Sequence, residues 1–247
     1  MKKEERIKLS VKKGYDIWSK TYDLDENPLI LLEEKPLLKI IGNVSGKKVL
    51  DVGCGTGRIA LKLLKKGAKV YGIDISEKML EKAKNKTKKF KNKVEFKVAS
   101  VYKIPYSKNS FDLVVCNLVT SHLKNLNKAV AKIARVLKPK GFLIISDLHP
   151  YVIVNGGVAN FFQNGKEYVI KNYYHSFEEY FNSLKKNGLR IVEVKELKDT
   201  KEVIDIVIRL YIKYKRKIIP KKEYEQWLGK PGAIIIKAQK VFEASGE

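Results

Sequence analysis

The sequence predicts an α/β protein with helices on both faces of a mostly parallel sheet, and three observations carry that expectation. Short β-branched runs alternate with helical patterns between residues 48 and 150, as successive βαβ units require. Several of these runs are apolar throughout, the mark of strands covered on both faces. No internal repeat or low-complexity linker interrupts the 247 residues, so a single domain with insertions is expected.

Taken in order, the strands read as Lys48–Val52, Lys69–Asp74, Val94–Val98, Phe111–Cys116 and Phe142–Asp147. After the first, Ile59, Ala60, Leu63 and Leu64 form one helical face that Gly67 stops. Ser76 caps the next helix, whose inner face carries Met79, Leu80 and Ala83. Leu126, Val130, Ile133, Ala134 and Leu137 recur at helical spacing, and "KPKG" ends that element. Ahead of the sheet, the first 45 residues are expected to form one or two helices, with Asn27 and Pro28 as a helix start.

After Asp147 the rhythm changes. Residues 151–174 read as short strands with Asn-Gly turns at 155–156 and 164–165, not as another crossover helix. "SFEEYFNSLKKNG" carries a capping box from Ser176 to Glu179 and a stop at Gly188, and "LRIVEVKEL" follows as a strand. A basic, aromatic segment, 200–230, precedes the last strand, "GAIIIKAQK". Residues 46–150 thus form a ligand-binding core, while 1–45, 151–175 and 200–230 are material for a lid over the carboxyl edge of the sheet.

Fifty-one Lys and Arg against 27 Asp and Glu give a net charge of +24, a field that attracts RNA and small anions. The lysines are scattered, as in "LKLLKKGAKV" and "EKAKNKTKKFKNK", and not gathered into one basic stripe. A lysine-rich composition, as in adaptation to heat, accounts for that scatter, so RNA is an alternative partner that is not favoured. Cys54 and Cys116 end apolar runs without CxxC spacing, which argues against a disulfide framework and a zinc site. No stretch has the length and apolarity of a membrane span, and the expectation is a soluble, cytoplasmic protein.

The chemistry concentrates in "VLDVGCGTGRIA", residues 49–60. A strand ends in Asp51, and Gly53, Gly55 and Gly57 at alternate positions lead into a helix, which lets the main chain approach a ligand closely. The dinucleotide fingerprint G-x-G-x-x-G would need glycine where Arg58 stands, and the Gly-Lys-Ser/Thr of a Walker loop is missing. Both phosphate cradles lose ground.

The stretch resembles the first motif of the class I S-adenosylmethionine-dependent methyltransferases. That resemblance implies that Asp51 receives the ammonium of the cofactor, a role that suits an acid which would repel a pyrophosphate. "VYGIDIS" resembles the second motif, implying that Asp74 accepts from the ribose hydroxyls and that Ile75 packs on the adenine. "VASVYKIPYSKNSFDLVVCN" and "IARVLKPKGFLIISDLHP" resemble later motifs of the type 11 group, which includes ubiquinone and menaquinone methyltransferases. The likeness covers residues 48–150. It implies a Rossmann-like, doubly wound seven-stranded sheet, mostly parallel with an antiparallel last strand. S-adenosyl-L-methionine is the implied cofactor, S-adenosyl-L-homocysteine the product, and no metal is expected. The implied binding set is Tyr22, Asp51, Gly53, Cys54, Gly55, Gly57, Asp74, Ile75, Ser100, Val101, Asn117 and Leu118. Ser100 stands where the family most often has an Asp, so it accepts from adenine without charge assistance.

Methyl transfer is an in-line displacement that needs alignment and exclusion of water, and a general base only when the acceptor is protonated. His149 in "SDLHP" is the candidate base, at the ligand-binding edge. His175 in "NYYHS" belongs to the substrate lid or to local structure, and His122 reads as a packing or capping residue. Tyr15, Trp18 and Tyr22 lie in "GYDIWSKTYD", which resembles the entry helix of type 11 enzymes; Tyr22 is assigned to the cofactor, Tyr15 and Trp18 to the substrate lid. Tyr151, Phe161, Phe162, Tyr168, Tyr173 and Tyr174 suit a planar or apolar acceptor. A small-molecule methyltransferase is therefore the leading expectation, with a tRNA or rRNA methyltransferase and a cofactor-binding protein without transferase activity as alternatives.

Overall fold

The computed structural model describes residues 6–215 and 225–241. The chain begins with β1 (Arg6–Leu9), α1 (Val11–Trp18) and α2 (Pro28–Ile41), then enters the main sheet through β2 (Lys48–Val52). Asn27 starts α2 as expected: its Oδ1 accepts from the N–H groups of Leu29 and Ile30, with Pro28 at the first helical position. The alternation that follows is α3 (Arg58–Lys65), β3 (Lys69–Asp74), α4 (Glu77–Thr87), β4 (Val94–Val98), β5 (Phe111–Asn117), α5 (Leu126–Val136) and β6 (Leu137–Leu148). Ser76 caps α4 by accepting from Met79 N–H, and Asn125 caps α5.

Beyond β6 come α6 (Pro150–Val154), β7 (Asn160–Gln163), β8 (Lys166–Ile170), α7 (Phe177–Lys186), β9 (Leu189–Lys198), α8 (Lys201–Lys215) and β10 (Pro231–Lys240). The seven-stranded sheet runs β4-β3-β2-β5-β6-β10-β9. Strands β2 to β6 are parallel to one another, and β10, the last strand, is antiparallel to both β6 and β9. The sheet is doubly wound and Rossmann-like, and the chain leaves β2 toward one side and returns at β5 on the other. The crevice between those two strand ends is where such sheets take ligands.

One face of the sheet packs Leu50, Val114, Leu143 and Ile234 against α5 and α7; the other packs Val49, Val70, Val115 and Ile235 against α2 and α3. A third, smaller core of Leu9, Trp18, Phe161 and Ile170 lies in the lid. It is organised by a three-stranded sheet, β1-β8-β7, in which β1 runs parallel to β8.

Three expectations change, and one segment left without an assigned element gains one. The N-terminal segment contributes a strand as well as helices, because "RIKL" finds a partner in Glu167–Ile170, more than 150 residues away in the chain. Residues 150–154 form a short helix, so Asn155 and Gly156 end that helix and do not turn a hairpin. Asn164 and Gly165, at φ +51° and +71°, do make the expected tight turn between β7 and β8. "KPKG" lies inside β6, because Leu137 already pairs with Phe111 before the bend at Lys140. Finally, the basic aromatic segment is helical over 201–215, and its residues 216–224 fall outside the described residues.

Candidate functional site

The glycine loop leaves β2 over the switch point. Gly53, Gly55 and Gly57 all have positive φ, +67°, +52° and +77°, a run that side chains with a Cβ rarely adopt. A Cβ on Gly53 would overlap Val119, in the loop after β5, and one on Gly57 would press on Ala83 of α4. At Gly55 nothing lies within 4 Å of that position. Gly53 and Gly57 are thus required by packing, and Gly55 leaves the loop open.

Beneath the loop, Asp51 is buried and its Oδ2 has no hydrogen-bond partner. Burial pushes the carboxyl up to about 7; the nearby Arg58 guanidinium opposes the rise and Asp74 adds to it. An orphaned buried carboxyl is costly, and a cation delivered to it recovers that cost. Cys54, also buried, donates its N–H to Ile73 O and is a packing residue whose thiol is pushed well up by burial.

Asp74 ends β3 and accepts from the N–H of Gly55 at 2.9 Å and of Ser76 at 2.8 Å, one on each oxygen. Burial raises its carboxyl while these N–H donors lower it. Ile75 N–H also bears on this carboxyl, and its acceptor sites are still not all filled, which leaves room for a ligand hydroxyl. Ile75 is half-buried beside it and Val101 is buried. Ser100 spends its Oγ as the cap of a 3-10 turn over 101–103, accepting from Tyr102 N–H.

Asn117 is placed differently from expectation. Its side chain accepts from Arg58 Nη2 at 2.7 Å and donates to Glu33 at 2.6 Å, so it is a strut behind the loop. Arg58 also pairs with Glu33 and Glu34 of α2, and Ser146 of β6 donates to Glu33. Glu33 is fully buried, and its carboxyl is raised by burial against the pull of Arg58. This network joins α2, the glycine loop and the ends of β5 and β6. Leu118, next in the chain, holds φ +56°, a strained conformation for a branched side chain at a ligand edge.

The lid is latched to these loops. Ser76 Oγ donates to Asp16 of α1 at 2.6 Å, and Thr56 of the glycine loop donates to Asp23 at 2.7 Å, with Lys86 of α4 bonded to both. Trp18 donates to Asp25. The rings of Tyr15, Trp18, Phe161 and Tyr168 stack in succession, with centroids 5.8, 4.9 and 5.1 Å apart. Tyr22 packs edge-on against Trp18, and burial pushes its phenol up to about 12. Phe161 belongs to the lid core, Tyr151 lies against Trp227, and Tyr174 is exposed.

The three histidines divide by partner. His149, the sequence candidate for a base, caps α6: its Nδ1 accepts from Tyr151 N–H, and its Nε2 lies 2.9 Å from Glu196 of β9. Both nitrogens are engaged in local structure. His175 is buried, with Nε2 on Leu123 O and Nδ1 2.9 Å from Glu179 but out of hydrogen-bond alignment. His122, read from sequence as a packing residue, meets Tyr15 Oη at 2.8 Å. Sequence reasoning missed Glu33 and this Tyr15 contact; the signal for Glu33 was an acid on a helix otherwise set to bury an apolar face.

With this geometry in place, comparison with known proteins identifies the family. Residues 50–145 match a methyltransferase domain. An uncharacterized protein of Methanocaldococcus jannaschii is 31% identical over 209 residues, covering 76% of this chain and 79% of that one. The demethylmenaquinone methyltransferase of Tropheryma whipplei (strain Twist) is 32% identical over 145 residues. That alignment covers 57% of this chain and 60% of the relative. Geranyl diphosphate C-methyltransferase of Streptomyces coelicolor A3(2), solved with S-adenosyl-L-homocysteine, shares the fold with a TM-score of 0.64 at 16% identity. It covers 84% of this chain, and 78% of that chain is covered. The chain belongs to the class I S-adenosylmethionine-dependent methyltransferases, in the type 11 group.

The residues present fit the family's cofactor. The unpartnered Oδ2 of Asp51 suits its ammonium, the open face at Gly55 leaves room for its tail, and Asp74 suits its ribose. No group of His, Cys, Asp and Glu able to hold a metal occurs among the described residues. No helix there is long and apolar enough to cross a membrane.

Proposed function

We propose that this chain transfers a methyl group from S-adenosyl-L-methionine to a small-molecule acceptor in the cytoplasm. The observation that carries the reading is Asp51, a buried acid with one oxygen, Oδ2, left without a hydrogen-bond partner beneath an open glycine loop. When bound, the cofactor supplies a methyl group on a positively charged sulfur. In this reading Asp51 holds the ammonium, Asp74 the ribose, and Ile75 and Val101 the adenine, with the main chain at Ser100 and Leu118 completing the wall. The Glu33–Arg58–Asn117 network fixes the loops, and the α1 lid excludes water.

The test is calorimetric titration with S-adenosyl-L-methionine and S-adenosyl-L-homocysteine. Asp74→Ala removes two charge-assisted acceptors, and at about 1.5–3 kcal/mol for each such bond the affinity is expected to fall on the order of 100-fold with the fold kept. Unchanged affinity would remove the site assignment. Tight binding that persists without turnover on any acceptor would favour a cofactor-binding protein instead.

A further inference from the structure

We propose that Tyr15 and His122 form the proton-accepting pair of this site, and that the methyl acceptor is an aromatic or enolic hydroxyl. The inference rests on the methyltransferase reading and deepens it.

Three segments that are far apart in sequence build the pair. Tyr15 comes from α1, and His122 ends a 3-10 turn, Thr120–His122, just past β5. The third is the strand exit after β8, where Lys171 O lies 2.9 Å from His122 Nδ1. A carbonyl only accepts, so the Nδ1 hydrogen points to Lys171 and Nε2 is left with its lone pair. Tyr15 Oη therefore donates to Nε2 across their 2.8 Å separation. The relay direction is fixed by these two bonds: a proton arriving at Tyr15 Oη displaces the phenol's own proton onto His122.

The turn that carries His122 is itself held. Asp147, buried at the end of β6, accepts from Thr120 Oγ1 at 2.6 Å and from Ser121 N–H at 2.8 Å. Tyr173 N–H bonds to Ser121 O. The groups facing the pair are Tyr22 beyond α1, Asp74 at the end of β3, Asp147 at the end of β6 and the Lys171 carbonyl. Burial keeps the His122 imidazole below its ordinary range, while the Lys171 carbonyl and Asp147 pull it back up. Burial also holds the Tyr15 phenol well above its usual range. Each group thus rests neutral, ready to pass a proton and not holding a charge of its own.

The proposed step balances without a further reactant. The acceptor O–H bond breaks and its proton goes to Tyr15 Oη as the Tyr15 proton moves to His122 Nε2. The oxygen's electron pair forms the bond to the methyl carbon, whose bond to sulfur breaks with its pair left on sulfur. The imidazolium then returns its proton to solvent. Tyr15 stacks on Trp18, the start of the ring series that runs through the lid core to Tyr168, and that packing holds its hydroxyl against His122.

The test uses the full chain with Tyr15→Phe, which keeps the ring stack, and His122→Gln. The first readout needs no turnover: 4-nitrophenol is titrated into the chain loaded with S-adenosyl-L-homocysteine, and its bound phenolate is followed by absorbance. The wild type is expected to ionise the bound phenol more readily, by about tenfold in equilibrium constant relative to either variant. The second readout is methyl transfer to phenols graded in acidity, with thiols and amines as other acceptors. Both variants are expected to lose on the order of 100-fold on weakly acidic phenols and to stay within about twofold on nitrophenols already ionised. Equal losses on both sets, no ionisation difference, or turnover confined to thiols or amines would overturn the proposal while leaving the methyltransferase reading intact. Failure to bind S-adenosyl-L-methionine at all would instead overturn that reading.

Discussion

The carboxyl edge of the main sheet and the lid that covers it are held together by different physics. At the sheet edge, strands are locked by apolar faces on both sides, and the polar groups that emerge include an acid with one buried oxygen left without a partner, Asp51. In the lid the apolar core is small, and partnered polar side chains at Asp16, Asp23, Asp25 and Tyr15 tie it down. One region keeps a binding deficit inside a rigid frame; the other has few buried apolar contacts and many bonds that water can replace. Local stability follows apolar contact density, so the lid is the part expected to open.

The sharpest break of that comparison is a pair of truncations. Leu63, fully buried in α3, is expected to cost about 2–5 kcal/mol of global stability when changed to Ala. Phe161, nearly as buried but in the lid, is expected to leave the main thermal transition within a few degrees, because its loss opens the lid without unfolding the sheet. Calorimetric melting checks the first. Hydrogen exchange confined to residues 6–26 and 160–173 checks the second, and a large drop in the Phe161→Ala main transition would show that lid and sheet unfold together.

The same contrast explains what could be read from the sequence. β2 and β3 begin and end where the apolar runs predict, because a parallel strand buried within a sheet writes its length largely in apolar residues; β4, at the sheet edge and half exposed, was legible instead from its alternation of apolar and charged residues. The helix starts at Asn27, Ser76 and Ser176 were equally legible, since capping is local chemistry. The glycine loop and its acid carried the ligand class for the same reason. β1 was not legible: four residues of mixed character become a strand only through β8. Nor was the pairing of Tyr15 with His122, which needs three distant segments, or the buried Glu33, whose partner Arg58 looked from sequence like a missing glycine. His149 drew attention by lying at the correct edge, but position along a strand does not reveal that both its nitrogens are spent on α6 and β9.

A second, smaller effect sharpens the deficit at the sheet edge. Asp51 has an ordinary value of 3.8 and titrates at about 7 in the folded chain, so between those values the folded state holds a proton that the unfolded chain has released. Its contribution to stability is full at low pH and is lost as pH rises through 7. At about 1.4 kcal/mol per pH unit the loss is on the order of 4 kcal/mol. Without ligand, Asp51→Asn is expected to match the wild type below about pH 4 and to become progressively the more stable protein as pH rises to 7, with the difference constant above that. Added S-adenosyl-L-methionine should reverse that order, because only the carboxylate recovers its burial cost from the ammonium. Melting curves across pH, with and without cofactor, check both halves. A variant that gains nothing at alkaline pH would mean that Asp51 is already satisfied without ligand.

The smallest effect is at the latch, where the difference between frame and lid can be read as a rate. Asp23 is bonded to Thr56 and to Lys86 at 2.7 Å each, and its carboxylate is more than a third exposed. An exposed pair of this kind contributes at most about 1 kcal/mol and is screened by salt. Asp23→Ala should therefore leave the melting temperature almost unchanged. If opening of α1 limits escape of the cofactor, its dissociation should quicken by about fivefold, the ratio that 1 kcal/mol permits. Added salt should quicken release from the wild type toward the variant's rate and barely move the variant. A salt response equal in both would place the gate elsewhere, with Asp16 and Ser76 as the remaining contact between α1 and the loop that follows β3.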